Sequence, residues 1–393
     1  MLETLKYIFI LTVVLGTILV IITENRNPVK TIAWCMVLIF MPFIGIILYI
    51  LFGMDNRHRR LIRKEEYDQL KGMTETIQSD DIVSDIPDRH KPLATMLYKA
   101  NRAYPLSGND VEILTDFTTM SDRLVTDIEN ARHHINILFF KFEDDAAGRK
   151  IADALIRKAE EGVQVRLIYD EAGNMMVPRR FYRRLREHGI QVRGFIRIFL
   201  PILSRDYNSR NHRKVVVIDG KVGYMGGMNV AQRYAEGLKW GIWRDTHIRI
   251  TGPAVSELQT SFLTDWKFTK GDDPDLDVMY PYNHPCGNTL MQIVTGGSMD
   301  RWNIMMQAYM TAIAESRSYV YLQSPYFIPP EPLMRVLQNT ALSGVDVRVM
   351  IPYRGDKGIL PPWASRSYIN DALAAGIKIY LYRKGYMHAK TLV

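Results

Sequence analysis

The sequence predicts an α/β protein made of two copies of one unit. Each copy is a mixed sheet flanked by helices; the two are related by a pseudo-twofold and preceded by a two-helix transmembrane hairpin. Three observations carry this reading: two long uncharged N-terminal stretches, one succession of helices and strands that occurs twice, and a His-x-Lys pair in each copy. The expected divisions are a hairpin over 1–56, a basic juxtamembrane segment and linker over 57–110, a first unit over 111–275 and a second, incomplete unit over 276–393.

The hairpin comes first. Leu5 to Thr23 and Ile32 to Phe52 carry no charge between Tyr7 and Thr23 or between Thr31 and Gly53, and each is near the ~20 residues that cross hydrocarbon as a helix. A cleaved signal would need a basic start and a small-residue cleavage site, and a second apolar stretch would not follow at once. The short connection through Asn27-Pro28 reads as a tight turn. Arg57, Arg59, Arg60, Arg63 and Lys64 follow the second stretch and are expected, by the positive-inside rule, to place both termini and the body that follows on the cytoplasmic side of the cell membrane. From Glu65 to Pro92 the chain is polar and acid-rich, the pattern of a linker with short helices.

Composition narrows the partners. With 393 residues and 47% apolar content the chain has material for sizeable cores. Its formal charge of +8 points to an anionic partner: nucleic acid, an acidic membrane or a phosphate-bearing substrate. Cys35 and Cys286 are too few for a disulfide framework or a cysteine-rich metal site.

The repeat is the next element. Strand Ile135 to Phe140, a helix over Gly148 to Glu161 and strand Val163 to Tyr169 recur as strand Tyr319 to Leu322, a helix over Glu331 to Leu342 and strand Val345 to Ile351. His188-Gly189-Ile190-Gln191-Val192 matches Ala375-Gly376-Ile377-Lys378-Ile379, and Asn211-His212-Arg213-Lys214 matches Met387-His388-Ala389-Lys390. Matched landmarks in one order indicate duplication, with a shared site expected between the halves.

The chemistry sits in the last match. His212 to Asp219 has the form H-x-K-x4-D, followed after six residues by Gly226-Gly227-Met228-Asn229. On a strand, His212 and Lys214 face one way because side chains alternate, so an imidazole and an ammonium converge. Asp219, at the strand's end before Gly220, is expected to hydrogen-bond an imidazole and fix its tautomer. Gly226-Gly227 is expected to let the backbone approach a ligand, and Asn229 to offer amide donors to a phosphate oxygen. The second copy, His388 to Val393, stops two residues short of the position its aspartate would take. The sequence is therefore expected to be a fragment cut inside its second motif.

Two H-K-D type motifs, one per repeat, resemble the signature of the phospholipase D superfamily. With the N-terminal hairpin, Trp243-Arg244-Asp245-Thr246-His247 and Gln323-Ser324-Pro325-Tyr326-Phe327, the chain is similar over nearly its whole length to the bacterial cardiolipin synthases. The resemblance implies that one histidine attacks phosphorus while the other protonates the leaving alcohol and deprotonates the incoming one. Lys214, Lys390 and Asn229 would hold the nonbridging oxygens. Family habit makes His212 the nucleophile and His388 the acid/base; pseudo-symmetry leaves the reverse open, and with it which imidazole Asp219 orients. The implied substrate is phosphatidylglycerol in an anionic membrane, exchanged into cardiolipin and glycerol with no metal or other cofactor and no nucleic acid. A hydrolase, another phosphatidyltransferase and a non-catalytic membrane scaffold are the alternatives.

Plainer readings apply elsewhere. A single H-x-K is usually a solvated strand face; its recurrence inside a repeat is what points to catalysis. Adjacent His133 and His134 diverge on any regular element and read as structural. Arg179 to Arg186 reads as an exposed helix face that would also suit anionic lipid. His212 follows Gly189 by 23 positions where His388 follows Gly376 by 12; the eleven extra residues, which include Phe195 to Leu203, read as a strand extension with core packing or as an interfacial segment.

Overall fold

The computed structural model describes residues 12–19, 21, 28–53, 62–83, 86–196, 210–297, 302–356, 358 and 360–393. The chain divides into two compact units, 1–56 with 196–210 and 57–195 with 211–393. Of the expected turn at 24–30, residues 24–27 lie outside the described residues and 28–30 begin a helix; Arg57, Arg59 and Arg60, and the insert from Arg197 to Leu203, also lie outside.

In the first unit, residues 12–19 are helical. In place of one helix over Ile32–Phe52, the chain forms a helix over Pro28–Phe40, breaks at Met41, and resumes as Pro42–Leu48 and a π-helical turn Tyr49–Gly53. Proline is the cause: Pro42 pushes Met41 out of the helical region, to φ −137° and ψ 65°. The second limb folds back on the first, so that the Tyr49 ring meets Trp34 edge-on at 5.5 Å. Gly45 has no side chain where the Val37 carbonyl closes in. Val14, Ile21, Leu38 and Tyr49 form the centre, while Leu19, Ile39, Phe40, Phe43 and Ile47 are each more than half exposed. Among the described residues no helix is long and apolar enough to cross a membrane.

Among the described residues, the strands lie in the second unit. They are β1 (Leu106–Leu114), β2 (His134–Phe139), β3 (Gln164–Asp170), β4 (Gln191–Phe195), β5 (Val215–Ile218), β6 (Val222–Gly226), β7 (Ile242–Arg244), β8 (His247–Thr251) and β9 (Thr289–Met291). They continue with β10 (Tyr319–Gln323), β11 (Asp346–Pro352), β12 (Lys378–Tyr382), β13 (Gly385–Met387) and β14 (Thr391–Leu392). One mixed sheet has the order β4-β3-β2-β5-β6-β8-β1-β9, and a second has the order β12-β11-β10-β14. The second repeats the β4-β3-β2-β5 part of the first, with the same parallel and antiparallel senses. Matched glycines repeat too: Gly162 and Gly344 both have φ +92°, a conformation that ends a helix and favours glycine.

In the first sheet β2 and β5 are buried at every position. Leu124, Ile128, Ile151 and Leu155, from the helices Phe117–Glu129 and Ala146–Glu160, share their core. The helix Val255–Phe268 packs against β5, β2 and β6, and its residues 255–266 are all buried. The sheet reaches beyond the expected 111–275, starting at Leu106 and taking β9 at its edge. Residues 64–101 are more than a linker. The helix Lys64–Ile77 is tied to Val255–Phe268 by a Lys71–Glu257 ion pair of 2.6 Å between side chains at most 1% exposed. In the helix Lys91–Asn101, Leu97 packs with Ala103 and Ile304.

A third, two-stranded sheet joins the repeats. β7 and β13 pair in parallel, Gly385 with Ile242, Tyr386 with Trp243 and Met387 with Arg244. The His388 N–H then donates to the Arg244 carbonyl at 2.7 Å. Gly241 and Gly385 both have φ +147°, and a Cβ on either would strike the opposing backbone.

Candidate active site

His212 and Lys214 lie just before β5, where alternation sets them apart from Asn211 and Arg213. The latter pair is pinned to Asp265, a fully buried carboxylate: the Asn211 Nδ2 donates to it at 2.8 Å and the Arg213 Nη1 at 2.7 Å. The Asn211 N–H donates to Asp170 at 3.0 Å. With those residues held, Lys214 Nζ comes to 3.0 Å from His212 Nδ1 and donates to the His212 carbonyl at 2.6 Å. The Phe140 ring, just past β2, lies 4.8 Å from the His212 ring.

The second copy repeats the arrangement. Lys390 Nζ is 3.0 Å from His388 Nδ1 and donates to the His388 carbonyl. The His388 ring lies 5.5 Å from Trp243 and 5.7 Å from Tyr386. Its Nδ1 is 2.6 Å from the Asp245 carboxylate, at the end of β7. The parallel pairing of β7 with β13 brings these two side chains together across the repeats.

Asp245 also explains the paired glycines. A Cβ on Gly227 would fall on the Asp245 carboxylate, and one on Gly226 would meet the Cα and ring of His247. The glycines therefore make room for the Asp245-Thr246-His247 segment, where an approach to ligand was expected. His247 is itself buried, and desolvation pushes its imidazole down to about 4.

The electrostatics draw the two motifs into one site. Burial lowers Lys214 well below the usual lysine range, and the Lys390 charge lowers it further. Burial among the site residues pushes Lys390 down to about 8, although part of its side chain reaches solvent; Asp245 and Asp356 oppose that shift. His388 is lowered by burial, opposed by the hydrogen bond that its Nδ1 donates to Asp245. Two lysines whose charged forms are disfavoured by burial, beside two imidazoles, favour an anion that stabilises those charged forms.

Comparison with known proteins agrees with this geometry. The family model described as "Cardiolipin synthase, PLD-like domain" matches residues 124–266 and 309–393. That described as "Phospholipase_D-nuclease N-terminal" matches residues 11–53. The chain is 39% identical to the major cardiolipin synthase of Bacillus subtilis, over 99% of this chain and 83% of that protein. It is 37% identical to the cardiolipin synthase of Oceanobacillus iheyensis, over 98% and 82%. The chain belongs to the cardiolipin synthase family. A solved structure, the phosphatidylserine synthase of Haemophilus influenzae, shares the fold with a TM-score of 0.54 at 14% identity, over 77% of this chain and 80% of that one.

In this cardiolipin synthase family chain the residues expected from sequence fall into two groups. His212, Lys214, His388 and Lys390 converge. Asp219 does not join them, and its expected role is corrected: its carboxylate accepts from the backbone N–H groups of Arg132, His133 and His134 at 2.8, 2.7 and 2.9 Å. It stands at the end of β5 remote from His212 and fastens the entry to β2. Asn229 is buried beside the site, its oxygen accepting from the Lys141 N–H at 3.1 Å and its nitrogen donating to the Tyr234 hydroxyl at 2.6 Å; one amide hydrogen remains for a ligand. Asp245 is the residue that sequence reasoning left without a role. Its signal was present, an acidic residue inside a quoted motif, but its partner was not.

His134 is a buried residue of β2 whose imidazole desolvation pushes down to about 4, as the structural reading of that pair expects. In the helix Arg179–Glu187 Phe181, Tyr182 and Leu185 are buried, with the arginines on the outer side.

Proposed function

We propose that the chain transfers a phosphatidyl group from one phosphatidylglycerol to the terminal hydroxyl of another, forming cardiolipin and releasing glycerol. The observation that carries the reading is that His388 of the second pair is held by Asp245 of the first repeat, while the charge of Lys390 acts on Lys214 of the first pair. Attack on phosphorus uses the Nε2 lone pair of His212, with the ring proton on Nδ1. The P–O bond to glycerol breaks as His388 gives its Nε2 proton to the leaving oxygen, and phosphatidyl-His212 remains. His388 then takes the proton of the second lipid's hydroxyl, whose oxygen attacks phosphorus and expels His212. Asp245 fixes the His388 tautomer and supports its imidazolium. Lys214, Lys390 and the second hydrogen of the Asn229 amide meet the charge that builds on the nonbridging oxygens. The exposure of His212 and the burial of His388 against a carboxylate support this division of labour.

The apolar outer faces of the first unit support membrane attachment through residues 1–56, with the two N-terminal stretches in the bilayer. The basic residues from Arg57 to Lys64 favour the cytoplasmic side for the catalytic unit. The test is labelled phosphatidylglycerol given to the full chain, with both products and any acid-labile phosphoprotein read out. Cardiolipin and glycerol in equal amounts are expected; phosphatidic acid without cardiolipin would make the protein a hydrolase.

A further inference from the structure

Among the large apolar side chains that the catalytic unit exposes, two groups lie at places that its internal repeat makes equivalent. After β3, Met175 and Met176 are 59% and 95% exposed; after the matching strand β11, Leu360 and Trp363 are 72% and 59% exposed. Single exposed apolar residues are ordinary, but a matched pair of such sites is not. Each is fastened to the segment that flanks a motif histidine. Asn174, beside the two methionines, donates to the Phe140 carbonyl and accepts from the Phe142 N–H, both at 2.8 Å, and Phe140 lies against His212. In the second repeat Ser365, two residues from Trp363, accepts from the Phe327 N–H at 3.1 Å. Asp356 accepts from the Tyr326 hydroxyl, which in turn meets the Tyr386 hydroxyl beside His388.

We propose that these two sites are a bipartite rim that seats the mouth of the active site on an anionic lipid bilayer. The proposal rests on the phosphatidyltransferase reading for its choice of partner. Charge complementarity supports that choice: Arg179 and Arg180 are exposed next to Met175 and Met176, and Arg354 and Arg366 flank Leu360 and Trp363. Arg383 lies over the Tyr353 ring at 4.6 Å on the same side. Apolar side chains that enter the acyl boundary, backed by arginines at headgroup level, are the composition of an interfacial anchor. Such a rim lets a phosphodiester pass from the bilayer into the site without its acyl chains crossing water.

The experiment compares the full chain with Met175→Ser/Met176→Ser, with Leu360→Ser/Trp363→Ser and with all four changes. Each is assayed on phosphatidylglycerol vesicles and on short-chain phosphatidylglycerol below its micelle concentration. Each pair should lower the vesicle rate several-fold and all four about tenfold or more, with the short-chain rate unchanged. Equal losses on both substrates, or no loss on vesicles, would overturn the rim. If wild type makes no cardiolipin from either substrate, the reaction is misassigned, and a second measurement still judges the surface. For it, nitroxides are placed at Met176→Cys and Trp363→Cys, with Cys35 and Cys286 replaced, in chain reconstituted into anionic vesicles. Both labels should respond to oxygen more than to a water-soluble nickel complex; behaviour like that of a label at exposed Lys239 would reject the docking surface.

Discussion

The carboxylate of Asp245 stands 2.6 Å from Nδ1 of His388, a residue 143 positions later in the chain and in the other repeat. Asp245→Asn keeps the shape and removes the charge, so the imidazole loses both its fixed tautomer and the support of its charged form. We expect kcat to fall by about 10²–10⁴-fold, the range general acid–base catalysis contributes, with denaturant unfolding little changed. Steady-state kinetics beside an unfolding curve checks both halves.

Asp219→Ala should behave in the opposite way. It deprives three backbone N–H groups of their acceptor at the entry to β2, which costs roughly 1–3 kcal/mol of stability. Turnover per folded molecule should stay near that of wild type. A kcat loss as large as that of Asp245→Asn, in protein shown to be folded, would return Asp219 to the chemistry.

The lysines predict a pH signature. Lys390 is pushed down to about 8 and Lys214 is held well below the usual lysine range, so both lose charge as pH rises through values where free lysine keeps it. kcat/KM should therefore decline on the alkaline side from about pH 8. Binding an unreactive phosphodiester raises both pKa values, so protons should be taken up at pH 8.5. Titration calorimetry in buffers of different ionisation enthalpy measures that uptake, and Lys390→Met should reduce it.

Lys71 and Glu257 form a buried pair whose members cannot be spared singly. Lys71→Ala leaves the Glu257 carboxylate without its counter-charge and should destabilise the catalytic unit by about 3–5 kcal/mol. Lys71→Met combined with Glu257→Leu should recover most of that loss. Chemical unfolding of the three variants decides it.

What could be read from the sequence was what repeats or alternates locally. The duplication was legible because strand order, the helix-ending glycines and both His-Lys pairs recur, and alternation placed each pair on one face. Asp219 was misread because a carboxylate at a strand's end can serve a side chain or the backbone, and only the position of Arg132 to His134 separates the two. Asp245 was invisible as a partner because its place depends on β7 meeting β13, a pairing that leaves no period in either segment. Gly226 and Gly227 announced a close approach but not what approaches. The break at Met41-Pro42 was written in the sequence, yet the uninterrupted apolar run around it outweighed one proline. The helix Lys64–Ile77 looked like a linker because two of the three residues it buries, Lys71 and Thr74, are polar.

The short parallel ladder of β7 and β13 makes the protein a tethered dimer of its own halves. A histidine that leans on its neighbour's carboxylate cannot be served by one half alone, and a covalent link keeps the helper present at an effective concentration no dilution can lower. Because the link also fixes which half is which, each can drift toward its own task. The first pins its motif to Asp265 through Asn211 and Arg213, where the second carries Met387 and Ala389.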